Sequence, residues 1–168
     1  MKTLFLVRHA KSSWRDTSLS DKDRPLGKRG KRDAPKAGDR LSRRNVAPDL
    51  ILSSPATRAF TTAKIIAARL GYEPKGIVVE NRLYPGDVDD LLSVIHHLDD
   101  RLARVMLFGH NPGLTELVHE LSSTITHMPT CAVAELTFDA NSWSNIGKAD
   151  LAGAALDYPK KHKGTAAE

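Results

Sequence analysis

Four short runs of apolar residues, each ended by polar or charged positions, indicate buried β-strands. They occupy residues 4–7, 50–52, 77–79 and 105–108. None of them alternates with polar residues, and unbroken apolar runs of this kind are typical of parallel strands that are covered on both faces. We therefore predict four fully buried parallel strands.

Between these strands, apolar residues recur at intervals of three and four positions, which is the spacing of one helix face. The pattern predicts helices over residues 56–70, 88–98 and 114–121. A further helix is predicted around Ala34, Ala37 and Leu41, where Pro35 is acceptable only in the first turn or at a kink.

Strands that alternate with helices of this length predict an α/β fold, with a mostly parallel sheet covered by helices on both faces. Residues 132–138 alternate apolar and polar positions, which indicates a late strand near the sheet edge, where an antiparallel direction is also allowed. Residues 149–156 are a candidate for one more strand. We expect a single domain over residues 1–157 and a frayed tail over residues 158–168.

The composition is that of an ordinary globular protein, with 168 residues, 40% of them hydrophobic and 27% charged. No apolar run approaches the ~20 residues that span a bilayer, and Arg8 ends the first run too early for a signal peptide. Cys131 is the only cysteine, which excludes an internal disulfide. We expect a cytoplasmic protein that has no membrane partner.

The net charge of +5 is concentrated in one stretch, because residues 22–44 hold ten Lys or Arg and only three Asp. This stretch is either a solvated helix face or the source of a positive field that attracts an acidic or phosphorylated partner. No aromatic residue is interleaved with the cations to stack on bases, which argues against a nucleic-acid partner.

Reactive side chains follow three of the predicted strands, at the edge where ligands bind in open α/β sheets. Arg8 and His9 end the first strand, and Arg58 lies just inside the helix that follows the second. His110 follows the fourth strand. Parallel strands would bring these two histidines and two arginines together at one edge of the sheet.

Such a group of residues suits a phosphoryl group. Guanidinium groups bind phosphate oxygens in a bidentate manner, and a neutral imidazole is a competent nucleophile. A helix that starts at Ser54, with Pro55 in its first position, would direct free backbone N–H groups at the anion. The chain has neither a carboxylate-rich magnesium site nor a Gly-rich nucleotide loop, so we expect no metal and no cofactor.

Three segments resemble, in order, the motifs of the histidine phosphatase (phosphoglycerate mutase-like) superfamily. They are residues 6–10 (LVRHA), 53–58 (SSPATR) and 109–111 (GHN). Residues 8–14, 23–26, 32–35 and 109–114 are similar to the narrower branch of SixA-type phosphohistidine phosphatases. The likeness extends to about residue 156.

The resemblance implies a three-layer α/β/α sandwich in which His9 is the nucleophile and Arg8, Arg58 and His110 form the phosphate pocket. It implies hydrolysis of phosphohistidine on a protein partner through a phosphorylated His9. A broad small-molecule phosphomonoesterase and a non-catalytic phosphate-binding or phosphoprotein-binding module are the alternatives. We expect a monomer.

The chain departs from the family pattern at two places. Ala10 stands where glycine is commonest, and Tyr84 and Pro85 stand where mutase-type members carry a glutamate that acts as an acid. Glu80 and Asp87 are the nearest carboxylates, and neither lies in the expected place. A phosphorylated imidazole leaves readily without an acid, so this departure favours phosphohistidine as the substrate.

Two residues near His9 have two interpretations each. Ser12 is predicted to add a hydroxyl to the substrate-binding set, or else to cap a turn. Trp14 either walls the pocket or serves only in packing. Asn111 and Pro112 are assigned to the start of the following helix rather than to the chemistry.

Overall fold

The structure, a computed structural model, describes residues 1–163, and within these residues it contains six strands and four α-helices. The strands are β1 (Lys2–Arg8), β2 (Leu50–Ser53), β3 (Val78–Val79), β4 (Arg104–Gly109), β5 (Val133–Asp139) and β6 (Asp150–Asp157). The helices are α1 (Lys28–Arg43), α2 (Thr57–Arg69), α3 (Val88–His96) and α4 (Gly113–Ser122). Each predicted strand and helix is present.

All six strands form one sheet in the order β3-β2-β4-β1-β5-β6. The first four strands are parallel, whereas β5 is antiparallel to β1 and β6 is antiparallel to β5. The predicted α/β fold with a mostly parallel sheet is confirmed, and the two late strands predicted from residues 132–138 and 149–156 are also present.

Helices cover both faces of the sheet and define three layers. Leu4 and Leu6 of β1 are buried in one apolar cluster with α3 and α4, and Phe5 and Val7 are buried in a second cluster with α1 and α2. Because neighbouring side chains of a strand point to opposite faces, the continuous apolar run of β1 fills both clusters. The three-layer α/β/α sandwich is therefore confirmed.

One detail of the sequence interpretation is wrong. The third strand is not buried, since Val78 and Val79 are 46% and 47% exposed at the sheet edge, where β2 is the neighbouring strand. Of the two alternatives for Pro35, the first turn is excluded, because Pro35 lies in the interior of α1. The helix begins seven residues before it, at Lys28, and a strongly charged first turn gives no apolar signal for that start.

The predicted frayed tail contains a short 3-10 helix, Pro159–His162, in its described part. Lys161 Nζ donates to the carbonyl oxygen of Leu156 at 2.9 Å, and His162 pairs with Asp157. Residues 164–168 of that prediction lie outside the described residues. Within residues 1–163, no helix is long and apolar enough to cross a membrane.

The start of α1 packs tightly against the loop that follows β1. The backbone N–H of Gly27 donates to the Lys11 carbonyl at 2.9 Å. A Cβ atom added at Gly30 would lie 2.2 Å from the same Lys11 oxygen. Only glycine allows this approach, which connects the helix directly to the segment that follows His9.

Gly30→Ala tests this contact. We expect the free energy of unfolding to fall by about 1–3 kcal/mol, because the added methyl group overlaps the backbone at Lys11. The loss should appear even though alanine is the better helix former by ~1 kcal/mol. Chemical denaturation measures the change, with Gly153→Ala as the control because a Cβ there meets nothing within 4 Å. Equal stability of the Gly30→Ala variant and the wild type would contradict the tight packing.

Candidate active site

The sheet brings three of the predicted residues together at its carboxyl edge. His9 directly follows β1, His110 directly follows β4, and Arg58 is the second residue of α2. The pairing of β1 with β4 sets Arg8 opposite Gly109, so the two histidines are adjacent, with ring centroids 5.1 Å apart. His9, Arg58 and His110 are buried, each with only 6–7% of its surface exposed.

Arg8 completes the predicted group from the adjacent position on β1. Its Nη1 donates to the carbonyl oxygen of Met128 at 3.0 Å, which fixes the guanidinium against the loop before β5. Its charge acts on both histidines and lowers their pKa values. All four predicted residues therefore contribute to one electrostatic environment.

A single hydrogen bond sets the tautomer of His9. Its Nδ1 lies 2.8 Å from the carbonyl oxygen of Ala10. A carbonyl can only accept, so Nδ1 carries the proton and Nε2 keeps its lone pair. One ring nitrogen of His9 is therefore fixed by a hydrogen bond, and the other is left with a free lone pair.

The surroundings keep both histidines neutral. Burial is the main cause that lowers the pKa of His9 to about 4, while the hydrogen bond to Ala10 opposes the shift. The positive charges of Arg58, Arg8 and Arg24 lower this pKa further. Burial also lowers the pKa of His110 to about 3, with further contributions from His9 and Arg58.

Three of the four predicted residues carry a buried polar atom that has no hydrogen-bond partner among the described residues. These atoms are Nε of Arg8, Nε of Arg58 and Nδ1 of His110. Buried polar groups in folded proteins are normally hydrogen-bonded, because an unpaired one costs about 1–3 kcal/mol. Three such groups beside the free Nε2 of His9 suit a ligand that offers several acceptor oxygens.

Ser54 positions His110, a role that the sequence interpretation missed. Its Oγ lies 2.7 Å from His110 Nε2 and accepts from the backbone N–H of Ala56 at 3.1 Å. When the hydroxyl donates to Nε2, Nδ1 of His110 carries the proton and is free to donate to a ligand. The helix predicted to start at Ser54 begins instead at Thr57, because Ser54 and Pro55 form the turn that leads into it.

Asp21 is a second residue that the sequence interpretation missed. It precedes α1, far from the region after the third strand, yet its Oδ2 accepts from Arg58 Nη2 at 3.0 Å and from the Tyr84 hydroxyl at 2.6 Å. The bond from Tyr84 is the main cause that lowers the pKa of Asp21 to about 2. Asp21 is therefore an anion at neutral pH, and it orients Arg58 from the side.

Ser12 and Trp14 contact Arg24. The Ser12 hydroxyl is buried and accepts from Arg24 Nη1 at 2.7 Å. The Arg24 guanidinium lies 3.4 Å from the centroid of the Trp14 ring, which is otherwise 67% exposed. In this structure both residues support Arg24, whose charge reaches His9.

The carboxylates that follow β3 serve local structure. Asp87 caps α3, because its side chain accepts from the backbone N–H of Asp90 at 2.8 Å, and Asp90 completes a capping box. Glu80 accepts from the backbone N–H of Arg82. Among residues 1–163, no group of three or more His, Cys, Asp or Glu residues could hold a metal ion.

Two cavities of different character are lined by residues of this group. The smaller has a volume of about 350 Å³ and is lined by Arg58, Tyr84 and His110, with the carboxylates of Asp21, Asp87 and Glu116 also in its wall. The larger has a volume of about 760 Å³ and is lined mainly by cations, with Arg8 at its wall. Arg58 and His110 thus lie in the wall of an acidic cavity, and Arg8 lies in the wall of a basic one.

Comparisons with known proteins agree with this architecture. Residues 4–84 match the histidine phosphatase superfamily (branch 1). An uncharacterised chloroplastic protein of Arabidopsis thaliana is 36% identical over 150 residues, which cover 84% of this chain and 69% of that protein.

Solved structures place the fold in the same group. The protein histidine phosphatase SixA, in complex with tungstate, superposes with a TM-score of 0.76 at 26% identity, over 90% of this chain and 95% of that one. A mycobacterial glucosyl-3-phosphoglycerate phosphatase shares the fold at 18% identity, with a TM-score of 0.65 over 91% of this chain and 98% of the other. The chain belongs to the histidine phosphatase superfamily, in its SixA-type branch, and is a phosphatase.

The lowered pKa of His9 gives a direct test of the site. A histidine of ordinary pKa, ~6.5, is mostly protonated at pH 5.5. With a pKa of about 4, His9 Nε2 is almost entirely unprotonated at pH 5.5 and takes up its proton only as the pH falls toward 4. We expect nitrogen NMR to show His9 neutral at pH 5.5, with its proton on Nδ1. His9→Asn identifies the signal, and a midpoint near 6.5 would contradict the buried, cation-flanked environment.

Proposed function

We propose that this phosphatase hydrolyses phosphohistidine on a protein partner, without a cofactor, through a covalent phosphohistidine at His9. The observation that carries the proposal is the hydrogen bond from His9 Nδ1 to the Ala10 carbonyl, which leaves the lone pair of Nε2 free. Among the described residues, Arg8, Arg58 and His110 each keep a buried polar atom unpaired for a ligand. The similar SixA protein, solved with the tetrahedral oxyanion tungstate, supports an oxyanion site on this fold.

In the first step, the lone pair of His9 Nε2 attacks phosphorus in line with the leaving group. A bond forms between Nε2 and phosphorus, and the bond from phosphorus to the substrate nitrogen breaks. Arg8 and Arg58 balance the charge on the non-bridging oxygens, and His110 Nδ1–H donates to one of them. In the second step water attacks the phosphorylated His9, inorganic phosphate leaves, and Nε2 recovers its lone pair.

The identity of the leaving group decides whether an acid is needed. A phosphohistidine whose ring is protonated leaves as neutral imidazole, the conjugate base of an acid of pKa ~6.5. An alkyl phosphate would have to expel an alkoxide, which requires a well-placed proton donor. Asp21 is held as an anion by Tyr84 and Arg58, and the side chain of Asp87 is used as a helix cap. These contacts favour a substrate whose leaving group needs no acid.

His9→Ala tests the covalent step. We expect turnover to fall about a thousandfold or more, because the imidazole that accepts the phosphoryl group is removed, while vanadate binding persists because Arg8 and Arg58 keep their charges. Rapid quench of the wild type with labelled substrate should trap an acid-labile phosphoenzyme at His9. His97→Ala is the control, since this exposed histidine bonds to its own helix through Ser93. Normal turnover in His9→Ala would move the nucleophile elsewhere.

The substrate class is tested by comparing three leaving groups. We expect kcat/KM for a phosphohistidine peptide to exceed that for alkyl phosphates by several orders of magnitude, because the alkyl leaving group needs an acid. Aryl phosphates should give values between the two. Each substrate is also measured with Asp87→Asn, which preserves the helix cap, since asparagine caps as well as aspartate. Comparable rates on alkyl phosphates, lost in Asp87→Asn, would show that Asp87 is an acid and remove the physical basis for phosphohistidine.

A further inference from the structure

The larger cavity is a basic groove at the carboxyl edge of the sheet. It runs between α1, the loop of residues 127–130 and the 3-10 helix Pro159–His162, with a volume of about 760 Å³. Three segments that are distant in sequence therefore form its walls. Its cations include Lys11, Arg29, Arg32, Lys36, Arg40 and Lys160.

The cations of α1 form a stripe along the groove. Arg29, Arg32, Lys36 and Arg40 are separated by three or four residues, which places them on one face of the helix. The other six cations of residues 22–44 do not line the groove. The structure thus divides the basic stretch into a groove-facing set and a set that faces elsewhere.

The positive charge of the groove is only partly compensated. Asp33 is the one carboxylate residue in the wall among residues 1–163, and its oxygens lie 3.4 Å from Arg32 Nε and 4.0 Å from Arg29 Nε. Lys36 and Lys160 have no ion-pair partner within residues 1–163. The groove therefore keeps a net positive charge, which favours an anionic occupant.

Arg40 gives a second indication of a ligand. Its Nε donates to Asp157 at 2.8 Å, which fixes the guanidinium, whereas its Nη2 is buried and has no partner among the described residues. Nε of Arg8, at the wall of the same groove, is also buried and unpaired. Two oriented guanidinium groups with unpaired donors suit carboxylate or phosphate oxygens.

Arg8 links the groove to the candidate active site. This residue lies in the groove wall and is the chain neighbour of His9. A substrate whose phosphoryl group is bound at His9 therefore has the groove close by.

The dimensions of the cation stripe indicate more than one anionic group. Arg29 and Arg40 are eleven positions apart on one helix, or about 16 Å at a rise of 1.5 Å per residue. An extended peptide covers that length with about five residues. A single phosphate would contact only one end of the stripe.

We propose that the basic groove binds an acidic segment of the phosphorylated protein substrate, about five residues long and adjacent to the phosphohistidine. This inference rests on the proposed function, because it assumes a protein substrate at His9. The groove then supplies affinity and orientation, and the residues around His9 supply the chemistry.

Two matched peptides test the proposal. Both carry one phosphohistidine, flanked in one peptide by glutamates and in the other by glutamines at the same positions. We expect kcat/KM at low salt to be about tenfold higher for the acidic peptide, because charge attraction raises the association rate. The ratio should fall toward one in 1 M salt, where the Debye length shrinks to ~3 Å.

Two triple variants with the same change in net charge locate the effect. Arg32→Gln, Lys36→Gln and Lys160→Gln together should reduce the ratio to about one. Lys28→Gln, Lys31→Gln and Arg43→Gln remove three cations that do not line the groove, and this control should keep the tenfold ratio. Equal losses in the two variants would mean a general positive field and would overturn the groove.

Further outcomes separate this inference from the proposed function. Equal hydrolysis of the two peptides by the wild type overturns the groove and leaves the proposed function intact. If neither peptide is hydrolysed, the proposed function fails, and binding of the unphosphorylated acidic peptide decides the groove. Binding to the wild type and the control variant, but not to the groove variant, supports it, and no binding overturns it. Binding of an oligonucleotide or of tripolyphosphate to the wild type but not to the groove variant, with no binding of the acidic peptide, assigns the groove to that polyanion instead.

Discussion

The parallel pairing of β1 with β4 holds Arg8 opposite Gly109, and the geometry of the site depends on this register. It places His9 and His110 side by side at the sheet edge, and the N–H of His9 donates to the Gly109 carbonyl at 3.2 Å. Both strands are central and buried on both faces, so a shift of one residue would expose two apolar clusters. The cost of exposing the core thus fixes the distance between the two imidazole rings.

Beside this pair, each of the two arginines is held by the protein through some of its nitrogens and keeps another nitrogen for a ligand. Asp21 accepts from Arg58 Nη1 through its carbonyl oxygen and from Arg58 Nη2 through its carboxylate. Arg58 Nε is left unpaired among the described residues. Arg8 is held in a similar way, because its Nη1 donates to the carbonyl oxygen of Met128, while its Nε is left unpaired among the described residues. Both guanidinium groups are thereby oriented before a ligand arrives, which reduces the entropy that binding would otherwise cost.

The sequence was sufficient to predict the fold and to predict that the four residues lie at the carboxyl edge of the sheet, because the relevant signals are local. Apolar runs predicted the strands, and the residues directly after each run predicted which side chains lie at the carboxyl edge of the sheet. Contacts of Asp21 with Arg58 and of Ser54 with His110 were not predictable in the same way, because they depend on how two loops pack. The exposure of Val78 and Val79 was missed because an apolar run does not reveal whether a strand has one neighbour or two.

The two cavities differ in the sign of their charge, and this difference has a consequence for the approach of a charged molecule. Asp87 and Glu116 line the cavity that contains His110, and Lys36 and Lys160 line the groove that contains Arg8. The resulting electric field points from the lysines toward the carboxylates. A molecule that carries both positive and negative groups experiences a torque in such a field, and so it is turned into one preferred orientation before any contact forms.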